Sequence, residues 1–150
     1  MPRAGFSLVE LAIVVLVMGI MVGVAAPKYA EALNHYRVEA AARRIVADLK
    51  HARQNAITGS AEQRITFELD TDSYTLDGMD DINRSSDEYT VDLAAEGYPV
   101  DLSTTTFPGG AFRWEHDGNA FVSGSMTLAS GSASRVVTVS HPCSIVISTP

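Results

Sequence analysis

At 150 residues and 16.0 kDa, the chain is long enough for one domain with a modest core and too short for two. Its averages, 46% apolar and 19% charged, match an ordinary soluble protein but conceal a split: residues 1–57 carry seven Lys/Arg against four Asp/Glu, and residues 58–150 carry four against fourteen. The acidic portion argues against a phosphate-backbone binder, whose affinity comes from clustered Lys and Arg. The single cysteine, Cys143, excludes an intrachain disulfide framework and a cysteine-based zinc site, and the apolar content argues against disorder.

From Phe6 to Ala26 the chain reads FSLVELAIVVLVMGIMVGVAA, in which Glu10 is the only charge and Ser7 the only other polar side chain. As a helix this stretch is ~32 Å long, enough to cross a hydrocarbon core of ~30 Å. A secretory signal peptide needs a shorter apolar stretch, of ~7–15 residues, before its cleavage site. A plain anchor does not account for Glu10, because a carboxylate at mid-helix costs ~2.5–3.5 kcal/mol in a membrane. A charge held there calls for a partner.

Gly5-Phe6-Ser7-Leu8-Val9-Glu10, after a short leader containing Arg3 and before the long apolar run, resembles the processing signal of type IV pilins and type II secretion pseudopilins. The resemblance implies that a prepilin peptidase cuts after Gly5 on the cytoplasmic side and methylates the new amine of Phe6. It places Glu10 at the fifth mature position, where the family's glutamate pairs with the N-terminal amine of a neighbouring subunit during assembly. An ammonium–carboxylate pair removes much of the penalty either charge would suffer alone. Pro27 matches the family's proline near the end of the membrane part of the helix, where it removes one intrahelical bond and kinks the helix.

Past Pro27, Tyr29, Leu33, Tyr36, Val38, Ala42, Ile45, Leu49, Ala52 and Ala56 recur at helical spacing. One amphipathic helix is therefore expected to continue to about Ile57, ended by Thr58-Gly59 with the glycine as a left-handed cap. Lys28, Arg37, Arg43, Arg44, Lys50 and Arg53, interspersed with Glu31, Glu39 and Asp48, read as a solvated, salt-bridged surface.

From Gln63 the period becomes alternating. Strands are expected at 63–69, 73–76, 89–93, 111–116, 120–122, 125–129, 135–140 and 144–148, with Asp117-Gly118-Asn119 as the clearest hairpin turn. A β-rich head of this size needs a helix on one face, and the apolar stripe supplies it. The fold expected is α+β: a pilin fold in which a long N-terminal helix, membrane-spanning in its first half, packs on a β-rich antiparallel C-terminal head. Its parts are a leader at 1–5, a transmembrane and filament-core helix at 6–27, an amphipathic helix at 28–57 and a periplasmic head at 58–150.

Ala52-Arg53-Gln54-Asn55-Ala56-Ile57 followed by the strand Arg64-Ile65-Thr66-Phe67 resembles the minor pseudopilin GspH/FimT group, as do the closing strands from Phe112 to Ile147. Pro142-Cys143-Ser144 stands where that group commonly has Gly-Arg-hydrophobic. The resemblance implies a structural subunit of a type II secretion pseudopilus, or a FimT/FimU-like minor pilin that primes or caps a pilus. Its partners would be the prepilin peptidase, other pilins or pseudopilins met through the N-terminal helix, and the inner membrane before assembly. The N-terminus would be cytoplasmic and the head periplasmic.

No catalytic residue, cofactor or metal is expected. Asp81, Asn83, Ser85, Asp87 and Asp92 have an EF-hand-like spacing, but Ser86 replaces the required glycine, so an acidic solvated loop is the expectation. The four histidines lack metal-ligand spacing, and the serines from Ser123 to Ser134 read as turn chemistry. Cys143 reads as a buried small hydrophobe, and Phe112 and Trp114, of equal parity on one strand, as core. Some FimT-like proteins capture DNA through basic C-terminal residues. Residues 136–150 contain no Lys or Arg, so nucleic acid is not an expected partner.

Overall fold

The computed structural model describes residues 5, 7–80 and 88–150. It divides into two compact units, Met1–Leu33 and Asn34–Pro150. One helix, α1 (Leu8–Gly59, 52 residues), begins in the first unit and ends in the second. In the first unit its apolar side chains are bare, from Leu8 at 82% exposure to Val24 at 68%. By length and composition the helix can cross a membrane.

In the second unit the helix becomes one-sided. Val38, Ala41, Ala42, Ile45, Asp48, Leu49, Ala52 and Ala56 are buried, three and four residues apart, and the apolar ones belong to one continuous core with the strands. Four of the eight are alanine. The expected stripe is too long at its start, because Tyr29 and Tyr36 are both 72% exposed. The helix also stops by a different residue. Ser60, not Gly59, takes the left-handed conformation (φ 49°), with the Ala61 N–H donating to Ala56 O at 3.2 Å and the Ser60 N–H to Ile57 O at 3.4 Å. These are the two bonds of a Schellman cap.

Beyond the helix the described residues form two four-stranded antiparallel sheets. The strands are β1 (Gln63–Glu68), β2 (Ser73–Asp80), β3 (Glu88–Asp92), β4 (Asp101–Thr105), β5 (Ala111–Trp114), β6 (Gly124–Ser130), β7 (Ala133–Ser140) and β8 (Ser144–Ser148). One sheet has the order β3-β2-β1-β5 and the other β4-β6-β7-β8. Alternation decides which residues face inward: Ile65 and Phe67 from β1, Tyr74 and Leu76 from β2, Met126 and Leu128 from β6, Val137 and Val139 from β7. Phe112 and Trp114 are buried as expected and meet edge to face, ring centroids 4.9 Å apart.

β4 was not expected, and the strand expected at 120–122 reduces to one bridge between Ala120 and Trp114. The Asp117-Gly118-Asn119 turn does reverse the chain: the Gly118 N–H donates to Glu115 O and the Glu115 N–H to Asn119 O, each at 2.8 Å. Gly118 is required there twice over. Its φ is +79°, and a Cβ would lie 2.6 Å from Ile57 Cδ1. Arg53 holds the same turn through Nε, 2.8 Å from Gly118 O. Asp72, also left-handed (φ 50°), sits in the β1–β2 turn and ties one sheet to the other by accepting the Leu102 N–H at 2.7 Å.

Candidate functional site: the helix N-terminus and the Asp48 cluster

The residues singled out for processing and assembly lie at the start of α1. Gly5 is exposed and precedes the helix, and Phe6 lies outside the described residues. Ser7 caps the helix: its carbonyl takes the first intrahelical bond, from the Leu11 N–H at 3.1 Å, and its Oγ accepts the Val9 N–H at 3.3 Å. Glu10 follows three residues later, exposed and in the first turn. Ser7-Leu8-Val9-Glu10 has the S-x-x-E spacing of a capping box, legible in four consecutive residues, although the cap bond formed is the one Ser7 Oγ accepts from the Val9 N–H. The unsatisfied N–H groups of the first turn also favour a negative charge there. Glu10 therefore sits at the end of the helix whose dipole favours a carboxylate, exposed on its surface. Pro27 lies inside the helix and withholds the one N–H that would have reached the Gly23 carbonyl.

A second polar site, not foreseen, lies between the helix and the first sheet. Asp48 is 7% exposed, so it belongs to the packed face and not to the solvated, salt-bridged surface expected of it. One carboxylate oxygen receives Arg44 Nε at 3.0 Å and the Tyr74 hydroxyl; the other receives the Tyr89 hydroxyl at 3.2 Å. Arg44 Nη2 closes the network on the Tyr89 oxygen at 2.8 Å and lies 3.7 Å from Glu96. Burial first and the Asp48 charge second push both tyrosine hydroxyls above their ordinary range, so both remain donors. Burial opposes the Arg44 charge, but Asp48 outweighs it and holds the guanidinium protonated. The arrangement is a hydrogen-bonded ion pair between buried Asp48 and half-buried Arg44 that ties the helix to β2 and β3. Within it the Asp48 carboxylate is engaged by three donors.

Elsewhere the helix is fastened by Glu39, which accepts from Arg135 Nε at 2.9 Å and Arg43 Nε at 3.0 Å. The Arg135 hydrogen bond chiefly holds the Glu39 carboxyl below the usual carboxylate range, against a desolvation that acts the other way. A cleft of about 290 Å³ is bordered by Pro108, Phe112 and Phe121, with the Arg113 guanidinium 3.5 Å over the Phe121 ring. Its lining residues carry no hydroxyl, thiol or imidazole.

Among the described residues no group of three or more His, Cys, Asp or Glu side chains could hold a metal ion. Asp81, Asn83, Ser85 and Asp87, the core of the EF-hand-like spacing, lie outside the described residues, and Asp92 Oδ1 accepts the Ala95 N–H at 3.0 Å. His141 bonds Ala120 O through Nδ1 at 3.0 Å. Cys143 is exposed, not buried as expected; it lies in the turn between β7 and β8.

A bare apolar half-helix continued by a one-sided helix that carries an antiparallel head is the architecture of a pilin-like protein, with the capped Glu10 turn at its N-terminal end. Comparison with known proteins agrees. The family model of the type II transport protein GspH matches residues 41–142, and that of the prokaryotic N-terminal methylation motif matches residues 1–26. The chain belongs to the GspH family. Two crystal structures of the type IV minor pilin FimU from Pseudomonas aeruginosa share the fold. One superposes with TM-score 0.56 at 14% identity over 74% of this chain and 87% of FimU, the other with TM-score 0.55 at 14% identity over 73% and 91%. No curated protein matches the chain significantly.

Proposed function

We propose that the chain is a minor pseudopilin, a structural subunit of a type II secretion pseudopilus that serves protein export. The observation that carries this is the joint match of an N-terminal methylation motif and a GspH head on one chain. In this reading a prepilin peptidase cleaves after Gly5 and methylates Phe6, and the chain waits in the inner membrane with its head on the periplasmic side. Glu10 then pairs with the N-terminal amine of a neighbouring subunit, and the bare apolar segment of α1 passes from lipid into the filament core. The transfer conserves apolar contact, so its driving force comes from close helix packing and from neutralising Glu10 in a medium of low polarity.

Replacing Glu10 by Ala tests this, since a membrane-tethered sensor would tolerate the change. The expected result is a chain that is still cleaved and membrane-held but is lost from the filament, with secretion impaired. Unaltered assembly and export would count against the proposal. The second reading, a minor type IV pilin that primes or caps a pilus, is favoured by the likeness to FimU. Deleting the gene and scoring secretion and piliation separately distinguishes the two, as does identifying the pilin-like subunits that copurify.

A further inference from the structure

Two four-stranded open sheets have four edges, and three of them carry a visible guard against pairing with another chain. β3 bears Glu88 and Asp92 at its ends. β4 is broken by a register shift between Leu102 and Thr104, and its Leu102 N–H is already taken by Asp72. β5 is covered by Ala120, bridged to Trp114, and by Phe121, whose N–H donates to Arg113 O. β8 is different. It has no charge, no proline within it and no break in its five-residue register with β7, and among the described residues no second strand pairs with it. Val146 at its centre is 52% exposed.

The sequence of β8, Ser144-Ile145-Val146-Ile147-Ser148, is also a palindrome. An antiparallel pair of two copies about Val146 sets Ser144 opposite Ser148, Ile145 opposite Ile147 and Val146 opposite Val146, all like with like. Ile145 and Ile147, which pack on the core, then continue the buried face across the junction. We propose that two copies of this chain join antiparallel through their β8 edges, centred on Val146, to make a continuous eight-stranded sheet. A two-fold contact of this kind closes on itself and cannot propagate. It therefore belongs to subunits outside a filament, and it does not depend on which machinery the chain serves.

The register can be tested with disulfides, because Cys143 would lie opposite Thr149 of the second copy, and both are exposed. Two Cys143 residues would be six positions out of register, about 20 Å apart. The full chain in its membrane is oxidised with copper phenanthroline and run without reductant. Thr149→Cys is expected to give a covalent dimer, whereas the natural chain and a Cys143→Ser/Thr149→Cys chain are expected to give monomer. Val146→Cys in a Cys143→Ser background is expected to dimerise and Ile147→Cys in that background to do so much less. Adding Val146→Lys to Thr149→Cys should reduce the dimer at least tenfold. Monomer throughout, equal crosslinking at every position, or a crosslink to a chain of another mass would each overturn the proposal.

Discussion

Removing the Asp48 carboxylate is the most informative perturbation of the head. Asp48→Ala removes the acceptor of the buried Tyr74 hydroxyl, which costs about 1–3 kcal/mol. Breaking a buried ion pair from one side costs about 3–5 kcal/mol where the remaining charge is trapped. Here it is not fully trapped: the Arg44 side chain is 35% exposed and lies near Glu96, so it can turn toward water. The expected total is about 2–4 kcal/mol, a large share of the roughly 5–15 kcal/mol typical of a domain. Tyr74→Phe removes one donor while Arg44 and Tyr89 still satisfy Asp48, and should cost only about 1–1.5 kcal/mol. The double variant should be less destabilised than the sum of the two, because a phenyl ring at position 74 has no hydroxyl left to need the missing acceptor. The chain's single tryptophan, Trp114, is fully buried, so its fluorescence reports urea unfolding of the detergent-solubilised protein. An Asp48→Ala cost below about 0.5 kcal/mol, or strict additivity with Tyr74→Phe, would refute the claim that this network fixes the helix on the sheet.

Three further outcomes follow from local geometry. Ser60→Gly should raise stability by about 0.5–1 kcal/mol in the same assay, because the left-handed cap position no longer strains a Cβ. Gly118→Ala should lower stability by about 1–2 kcal/mol, since alanine strains at φ +79° and pushes on Ile57; an unchanged unfolding midpoint would show that the turn does not dock on the helix. The Glu39 carboxyl is held low by Arg135, so its contribution is complete above its ordinary value of 4.5 and is lost as pH falls through the depressed one. The natural chain should therefore lose more stability than Glu39→Gln when stability is measured from about pH 6 downward through that interval, and parallel curves would sink the assignment.

The long N-terminal helix and its first turn were legible because their determinants are local. Helix length, apolar continuity and a lone carboxylate are properties of neighbouring residues, and Ser7 caps the turn that follows it directly in the chain. The strands with strong alternation were legible for the same reason. β4 was not: Asp-Leu-Ser-Thr-Thr has one buried apolar residue, Leu102, and is a strand only because β6 pairs with it. The strand expected at 120–122 is one bridge at Ala120, and Cys143 is exposed in a turn whose bounds were legible, because burial of a turn residue depends on what packs against it.

What the sequence determined by itself is the opposition between an apolar helix built for lipid or for other helices and an acidic head of alternating strands. Both follow from short-range periodicity and from the free energy of removing apolar surface from water. Tertiary structure alone decided the fate of the polar residues along α1. Glu39 and Asp48 look equivalent in a helix dotted with charges, yet one fastens the helix at its rim and the other is buried under two tyrosines. The partners responsible are Arg135, Tyr74 and Tyr89, 96, 26 and 41 residues away. Burial depends on which face those distant strands cover, and no window of local sequence contains that information.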